Sequence, residues 1–169
     1  MIQVNLAALV HAKVGSRETV VLDVRDAVID ELHLAYIQGE IHFTRVVNGV
    51  LAEGTIKTSV KTECTRCLEP CFKSIEIEME DTISLPGTKL TSEHPVRVSE
   101  NNWADLSPLI REYIWLGLPV NPICSPDCQG LCPNCGGNLN KDKCVCADSE
   151  VMDPRWEALR VLLDSPEDH

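Results

Sequence analysis

The sequence predicts an α+β fold, an antiparallel β-sheet or meander carrying a packed helix and followed by a C-terminal cysteine-rich segment. Three observations predict it. Ile37 to Val47 and Val50 to Lys61 flank Asn48-Gly49, the dipeptide preferred where a two-residue hairpin needs positive φ at both positions. From Phe72 to about Leu85, Ile75, Ile77 and Met79 alternate with Glu76, Glu78 and Glu80, so one face seeks a core and the other faces water. Six cysteines then fall within the 23 residues from Cys124 to Cys146.

In chain order, Met1 to about Leu9 reads as a short strand entering a helical turn, and the valine-rich Glu18 to Val24 reads as a strand. Asp26 to Leu34 carries Val28, Ile29 and Leu32 at a spacing that allows a helical turn or irregular chain. In the second hairpin strand Val50, Ala52, Ile56 and Val60 alternate with Glu53, Thr55, Lys57, Ser59 and Lys61. A sheet buried on one face only is antiparallel as a rule. Pro86 to Asn102 reads as a loop with a short strand at Val96 to Val98. A helix begins at Asp105 or Ser107, with Pro108 in its first turn and Leu106, Leu109, Ile110, Tyr113 and Ile114 on one face; Gly117 and Pro119 end it. A last helix starts at Asp153-Pro154 and offers Trp156, Leu159, Leu162 and Leu163 for docking. Trp103, Trp115 and Trp156 are read as core or helix-docking residues. The expected organisation is a mainly antiparallel β region, 1–102, and a second region, 103–169, with the helix, the cysteine segment and the last helix, packed as one unit. A chain of 169 residues buries a substantial core without help.

The cysteines fall into half-sites. Cys132-Pro133-Asn134-Cys135-Gly136 reads as a zinc knuckle, because a two-residue spacer followed by glycine turns tightly enough for two thiolates to meet one metal. Cys144 and Cys146 complete a tetrahedral set with Cys132 and Cys135. Cys64-Thr65-Arg66-Cys67 is a second pair that cannot fill a shell alone, and with Cys124 and Cys128 it closes a second site stitching the middle of the chain to its C-terminal segment. A crossed arrangement, with Cys64 and Cys67 joining Cys144 and Cys146, satisfies the same arithmetic. Cys71 is the spare, read as a small buried residue beside Phe72. Two sites saturated by sulfur point to structural zinc, since catalytic zinc keeps a position open for water and commonly recruits histidine. His11, His33, His42, His94 and His169 are scattered without ligand-like spacing.

The N-terminus has no basic residue before a long apolar run, so no export signal or membrane span is expected, and clustered thiols then argue for a reducing compartment. The formal charge is −11; eight thiolates on two Zn²⁺ bring it to about −15. That works against general attraction to nucleic-acid phosphates and favours a basic protein partner. Lys57, Lys61, Arg66 and Lys73 make the neighbourhood of Cys64 and Cys67 locally basic against Glu63 and Glu69, which allows a limited RNA phosphate contact but no binding stripe. No phosphate loop, nucleophile elbow or carboxylate pair of recognisable spacing is present.

Cys64-Thr65-Arg66-Cys67-Leu68 after the Val50 to Lys61 strand, then Leu118-Pro119, Cys124, Asp127-Cys128, Gly130-Leu131-Cys132-Pro133, Cys135-Gly136, Asn138-Leu139-Asn140 and Asp153-Pro154-Arg155-Trp156, resembles the YceD family. The resemblance covers most of the chain and is specific between Cys64 and Cys146; it is that of a cysteine-rich, zinc-binding member. It implies a cytoplasmic, non-enzymatic ribosome-biogenesis factor supporting accumulation or processing of large-subunit (23S) rRNA, with a ribosomal assembly intermediate or basic ribosomal protein as partner. Two readings from other classes stand beside it. One is a thiol, redox or hydrolytic enzyme with structural zinc, whose sign would be a reactive Cys71. The other is a zinc-ribbon nucleic-acid-binding regulator, which needs a basic knuckle face that Lys141 and Lys143, set among Asp127, Asp142 and Asp148, do not supply.

Overall fold

The alternating runs pair into a four-stranded antiparallel meander. The computed structural model describes residues 1–87, 96–142 and 144–148. Along the chain lie β1 (Gln3–Asn5), α1 (Ala7–Val10), β2 (Arg17–Ile29), β3 (Leu32–Val46), β4 (Gly49–Glu63), β5 (Pro70–Ser84), β6 (Trp103–Asp105) and α2 (Ser107–Gly117). The meander runs β2-β3-β4-β5, and β1 pairs antiparallel with β6 in a small second sheet. The last helix expected from Asp153 lies outside the described residues.

Alternation decides which face is covered. Ile37, Ile41 and Phe43 on β3, Val50, Ala52, Ile56 and Val60 on β4, and Ile77, Met79 and Ile83 on β5 are buried together with Leu106, Leu109, Ile110 and Ile114 of the α2 segment. Burying each large side chain contributes about 1.5–3 kcal/mol, so this interface dominates the fold. The opposite face presents Lys57, Glu76, Glu78 and Glu80 to solvent. Two glycines let β3 and β4 approach closely. A Cβ on Gly39 would lie 2.2 Å from the Thr55 carbonyl oxygen, and one on Gly54 would lie 2.2 Å from that of Glu40.

Pro108 sits in the first turn of α2, where its missing N–H costs nothing. Arg111 ties the helix to the β2–β3 turn, reaching Glu31 at 2.8 Å and Asp30 at 3.3 Å. Tyr113 closes part of the β5 edge, its hydroxyl donating to the Glu80 carbonyl at 3.0 Å and accepting the Glu80 N–H at 3.2 Å. That satisfies groups an edge strand otherwise leaves open.

Four expectations need correction. Asp26 to Leu34 is neither helical nor irregular: β2 runs on to Ile29, Asp30 and Glu31 make a tight turn, and Ile29 pairs with Leu32. Positive φ at Asp26 (50°) and Asp30 (51°) re-aims the strands there, and β3 shifts register against β4 between Leu34 and Ile37, so the apolar spacing no longer reads as alternation. The Asn48-Gly49 hairpin exists, but Val46 pairs with Gly49, leaving Val47-Asn48 as the turn. Neither Asn48 nor Gly49 has positive φ. Gly49 serves a close approach instead, since its Cβ would meet the Ile83 carbonyl oxygen at 2.5 Å. Trp103 and Trp115 are 43% and 50% exposed, so neither is a core residue; Trp156 lies outside the described residues. Phe72 is also exposed, and Cys71 beside it is only half-buried. Among the described residues no helix is long and apolar enough to cross a membrane.

Candidate metal centres

The β4–β5 connection builds the first centre. Glu63 pairs with Pro70, and between them the Cys64 N–H donates to the Glu69 carbonyl and the Leu68 N–H to the Cys64 carbonyl, each at 2.9 Å. Leu68 takes a φ of 59° to complete the turn. This places the Cys64 and Cys67 sulfurs together at the end of the sheet. The chain leaving α2 returns to the same point: Pro122 accepts the Thr65 N–H at 2.8 Å and the Thr65 hydroxyl at 3.1 Å, and the Arg66 Nη1 donates to the Cys128 carbonyl at 3.0 Å. Cys124 and Cys128 thereby arrive opposite the knuckle.

The second centre is local. Gly136, at φ 71°, follows Cys135, and the Gly136 N–H donates to the Cys132 carbonyl at 2.9 Å. A 3-10 turn, Val145–Asp148, carries Cys146.

The sulfurs gather as two groups of four. Cys64, Cys67, Cys124 and Cys128 form one, and Cys132, Cys135, Cys144 and Cys146 the other, the donor atoms of each lying within 4.8 Å of one another. Cys71 joins neither group, nor do His11, His33 and His42, whose side chains are exposed; His94 and His169 lie outside the described residues. In the first group Cys64 and Cys128 are 3.8 Å apart and Cys67 and Cys124 3.7 Å. Bonds of about 2.3 Å from a tetrahedral ion put its sulfurs about 3.8 Å apart. In the second, Cys144 lies 3.3 Å from Cys135 and 3.4 Å from Cys132. These separations far exceed a disulfide bond. Both groups could hold a metal ion, and an all-sulfur tetrahedral donor set is consistent with zinc.

The electrostatics point the same way. Burial opposes ionisation of Cys64, but backbone N–H groups around Cys67, Cys124 and Arg66 outweigh it and bring the thiol down to about 6. Backbone N–H groups at Cys135 and Asn134, with the Cys144 thiol, bring Cys132 down to about 7. A neighbour in each group resists. The neighbouring Cys128 sulfur and then burial push Cys124 up to about 12. At Cys144 the Cys146 N–H favours the thiolate, yet the Cys135 and Cys132 sulfurs outweigh it and push the thiol up to about 12. Each group thus sets a readily ionised thiol beside one that its sulfur neighbours hold protonated, a repulsion that a divalent metal relieves.

The basic residues around the first centre do not form one patch. Lys61 pairs with Phe72 on the solvent face, whereas Lys73 pairs with buried Val60 on the covered side. Lys57 is within 3.5 Å of Glu76. Sequence reasoning missed the contacts that join the centres: Asn140 reaches Cys128, and Asn138 and Lys141 reach Glu69. The available signal was the Asn138-Leu139-Asn140 run, used above only for the family resemblance.

Comparison with known proteins places this architecture. An uncharacterized protein of Mycobacterium tuberculosis (strain H37Rv) is 31% identical over 137 residues, spanning 79% of this chain and 65% of its own. One from Mycobacterium leprae is 30% identical over 132 residues, spanning 76% and 60%. The protein named Large ribosomal RNA subunit accumulation protein YCED homolog 1, chloroplastic, of Arabidopsis thaliana is 26% identical over 143 residues, spanning 68% of this chain and 44% of its own. The chain thus covers less than two thirds of each of these relatives. No solved structure matches it. Residues 52–163, which include every cysteine of both groups, match the family model described as Large ribosomal RNA subunit accumulation protein YceD; this chain belongs to the YceD family.

Proposed function

We propose that this protein is a cytoplasmic, non-enzymatic ribosome-biogenesis factor that supports accumulation of large-subunit (23S) rRNA, with two structural zinc ions holding its C-terminal segment against the sheet. The observation that carries the reading is the family match across residues 52–163. The geometry of the cysteines supports it. Four sulfurs converge at each centre, leaving no position for a substrate or activated water once a tetrahedral ion is bound. The ligands in this reading are Cys64, Cys67, Cys124 and Cys128 for one zinc, and Cys132, Cys135, Cys144 and Cys146 for the other. Residues 1–102 and 103–169 act as one unit, a reading supported by the β1–β6 pairing and by α2 on the sheet.

The partner is a basic ribosomal protein or an assembly intermediate displaying one. The net charge of −11 disfavours broad phosphate binding, so direct rRNA contact is limited to single phosphate contacts at Lys57, Lys61, Arg66 and Lys73. In a host deleted for its own family member, this protein should restore the ratio of mature 23S to 16S rRNA, and Cys64→Ser/Cys67→Ser should not. A ratio untouched by the deletion would overturn the reading, and a pull-down recovering bare rRNA without ribosomal protein would overturn the protein-mediated route.

A further inference from the structure

The loop between the two halves of the second centre also touches the first. Asn138 to Asp142 lie between Cys135 and Cys144. The loop is closed on itself, Asn138 Oδ1 accepting the Asn140 N–H at 3.0 Å and its side-chain Nδ2 at 2.8 Å. From this loop Asn140 Nδ2 extends to 3.5 Å from the Cys128 sulfur, while Asn140 Oδ1 accepts the Gln129 N–H at 2.8 Å. A backbone amide can only donate, so the oxygen is fixed on the Gln129 side and the NH₂ on the sulfur side. A polar side chain presented by one cluster therefore hydrogen-bonds a sulfur of the other.

We infer that Asn140 is a positioning residue coupling the two centres: metal bound by Cys132, Cys135, Cys144 and Cys146 orders the loop that places an N–H donor on the Cys128 thiolate. The inference rests on the metal reading above. A donor on a ligating sulfur disperses its charge and fixes its orientation, and removing such an outer partner typically costs 10–100-fold in metal affinity. The loop carrying Asn140 has no buried apolar residue of its own and is tied to its surroundings by hydrogen bonds to Gly130, Gln129 and Glu69, so metal at Cys135 and Cys144 adds the covalent anchor on either side of it. Coupling of this kind is reciprocal, each metal favouring the other by the same factor. The second link, from Lys141 and Asn138 to Glu69, lies at an exposed ion pair and is screened by salt, so Asn140 carries the larger share.

The test measures zinc affinity of the first centre by chelator competition on the full chain, reading each centre separately from protection of its cysteines against alkylation. The measurement is made with the second centre intact and with Cys144→Ser/Cys146→Ser, each with Asn140 and with Asn140→Ala. Emptying the second centre should weaken the first by about 10–100-fold. Asn140→Ala alone should weaken it comparably, and emptying the second centre in that background should add little. No weakening in the wild-type background, or weakening that persists undiminished in Asn140→Ala, would overturn the coupling while leaving two zinc ions bound. A wild-type protein holding no zinc would overturn the metal reading itself.

Discussion

Zinc removal under reducing conditions should abolish protease resistance between Pro119 and Asp148 while leaving the β2–β5 meander folded. From Pro119 to Asp142 the buried residues are Cys128, Gly130 and Cys132, so the segment has no aliphatic core to fall back on. A structural zinc contributes about 10–16 kcal/mol, as much as the entire stability of an ordinary domain, about 5–15 kcal/mol. The sheet depends on something else, the apolar surface between its strands and α2. Limited proteolysis with mass-spectrometric mapping reads the difference directly. Retained resistance beyond Pro119 in protein verified to be metal-free would contradict it.

Phe43→Ala should produce the converse, a large loss of global stability with both zinc ions retained in the folded fraction. Phe43 is fully buried on β3 and faces Ala52 across the ladder, whose small side chain leaves room for the ring. Deleting it opens a cavity worth about 3–5 kcal/mol. Ala52 lies near the start of β4, whereas Cys64 follows its last residue, Glu63, so the cavity forms at the far end of the strands from the first centre. Urea denaturation should show a strongly lowered midpoint, and zinc content per folded molecule should stay at the wild-type value. Trp115→Ala, at a half-exposed position, should shift stability by no more than about 0.5 kcal/mol. A midpoint for Phe43→Ala no lower than that for Trp115→Ala would be incompatible with this core.

What was legible in the sequence is what local chemistry determines. The Val50, Ala52, Ile56, Val60 alternation gave the buried face of β4, and Leu106, Leu109, Ile110 and Ile114 gave that of α2. The two-residue cysteine spacers gave half-sites for the same reason, because a knuckle is closed by its own backbone. The pairing of half-sites was legible only as a preference over the crossed arrangement, and the sulfurs group as preferred; the choice depends on where α2 delivers Cys124, which is decided by packing against β5 and by the Thr65–Pro122 contacts. Asp26 to Leu34 misled because positive φ at Asp26 and Asp30 and a register shift in β3 break the strand period. Gly49 misled because a glycine needed for close approach to Ile83 looks in sequence like one needed for positive φ. Trp103 and Trp115 misled because apolar character does not by itself fix which face of an element a residue occupies.

The measurement that tests the account most directly is native mass spectrometry with zinc quantification on protein purified reduced, for wild type and for Cys64→Ser/Cys67→Ser. The account predicts two zinc ions in the wild type and one in the variant, the loss falling on the centre that ties the sheet to the C-terminal segment. One zinc in both proteins would confine the metal to Cys132, Cys135, Cys144 and Cys146 and leave Cys64 and Cys67 as a free thiol pair.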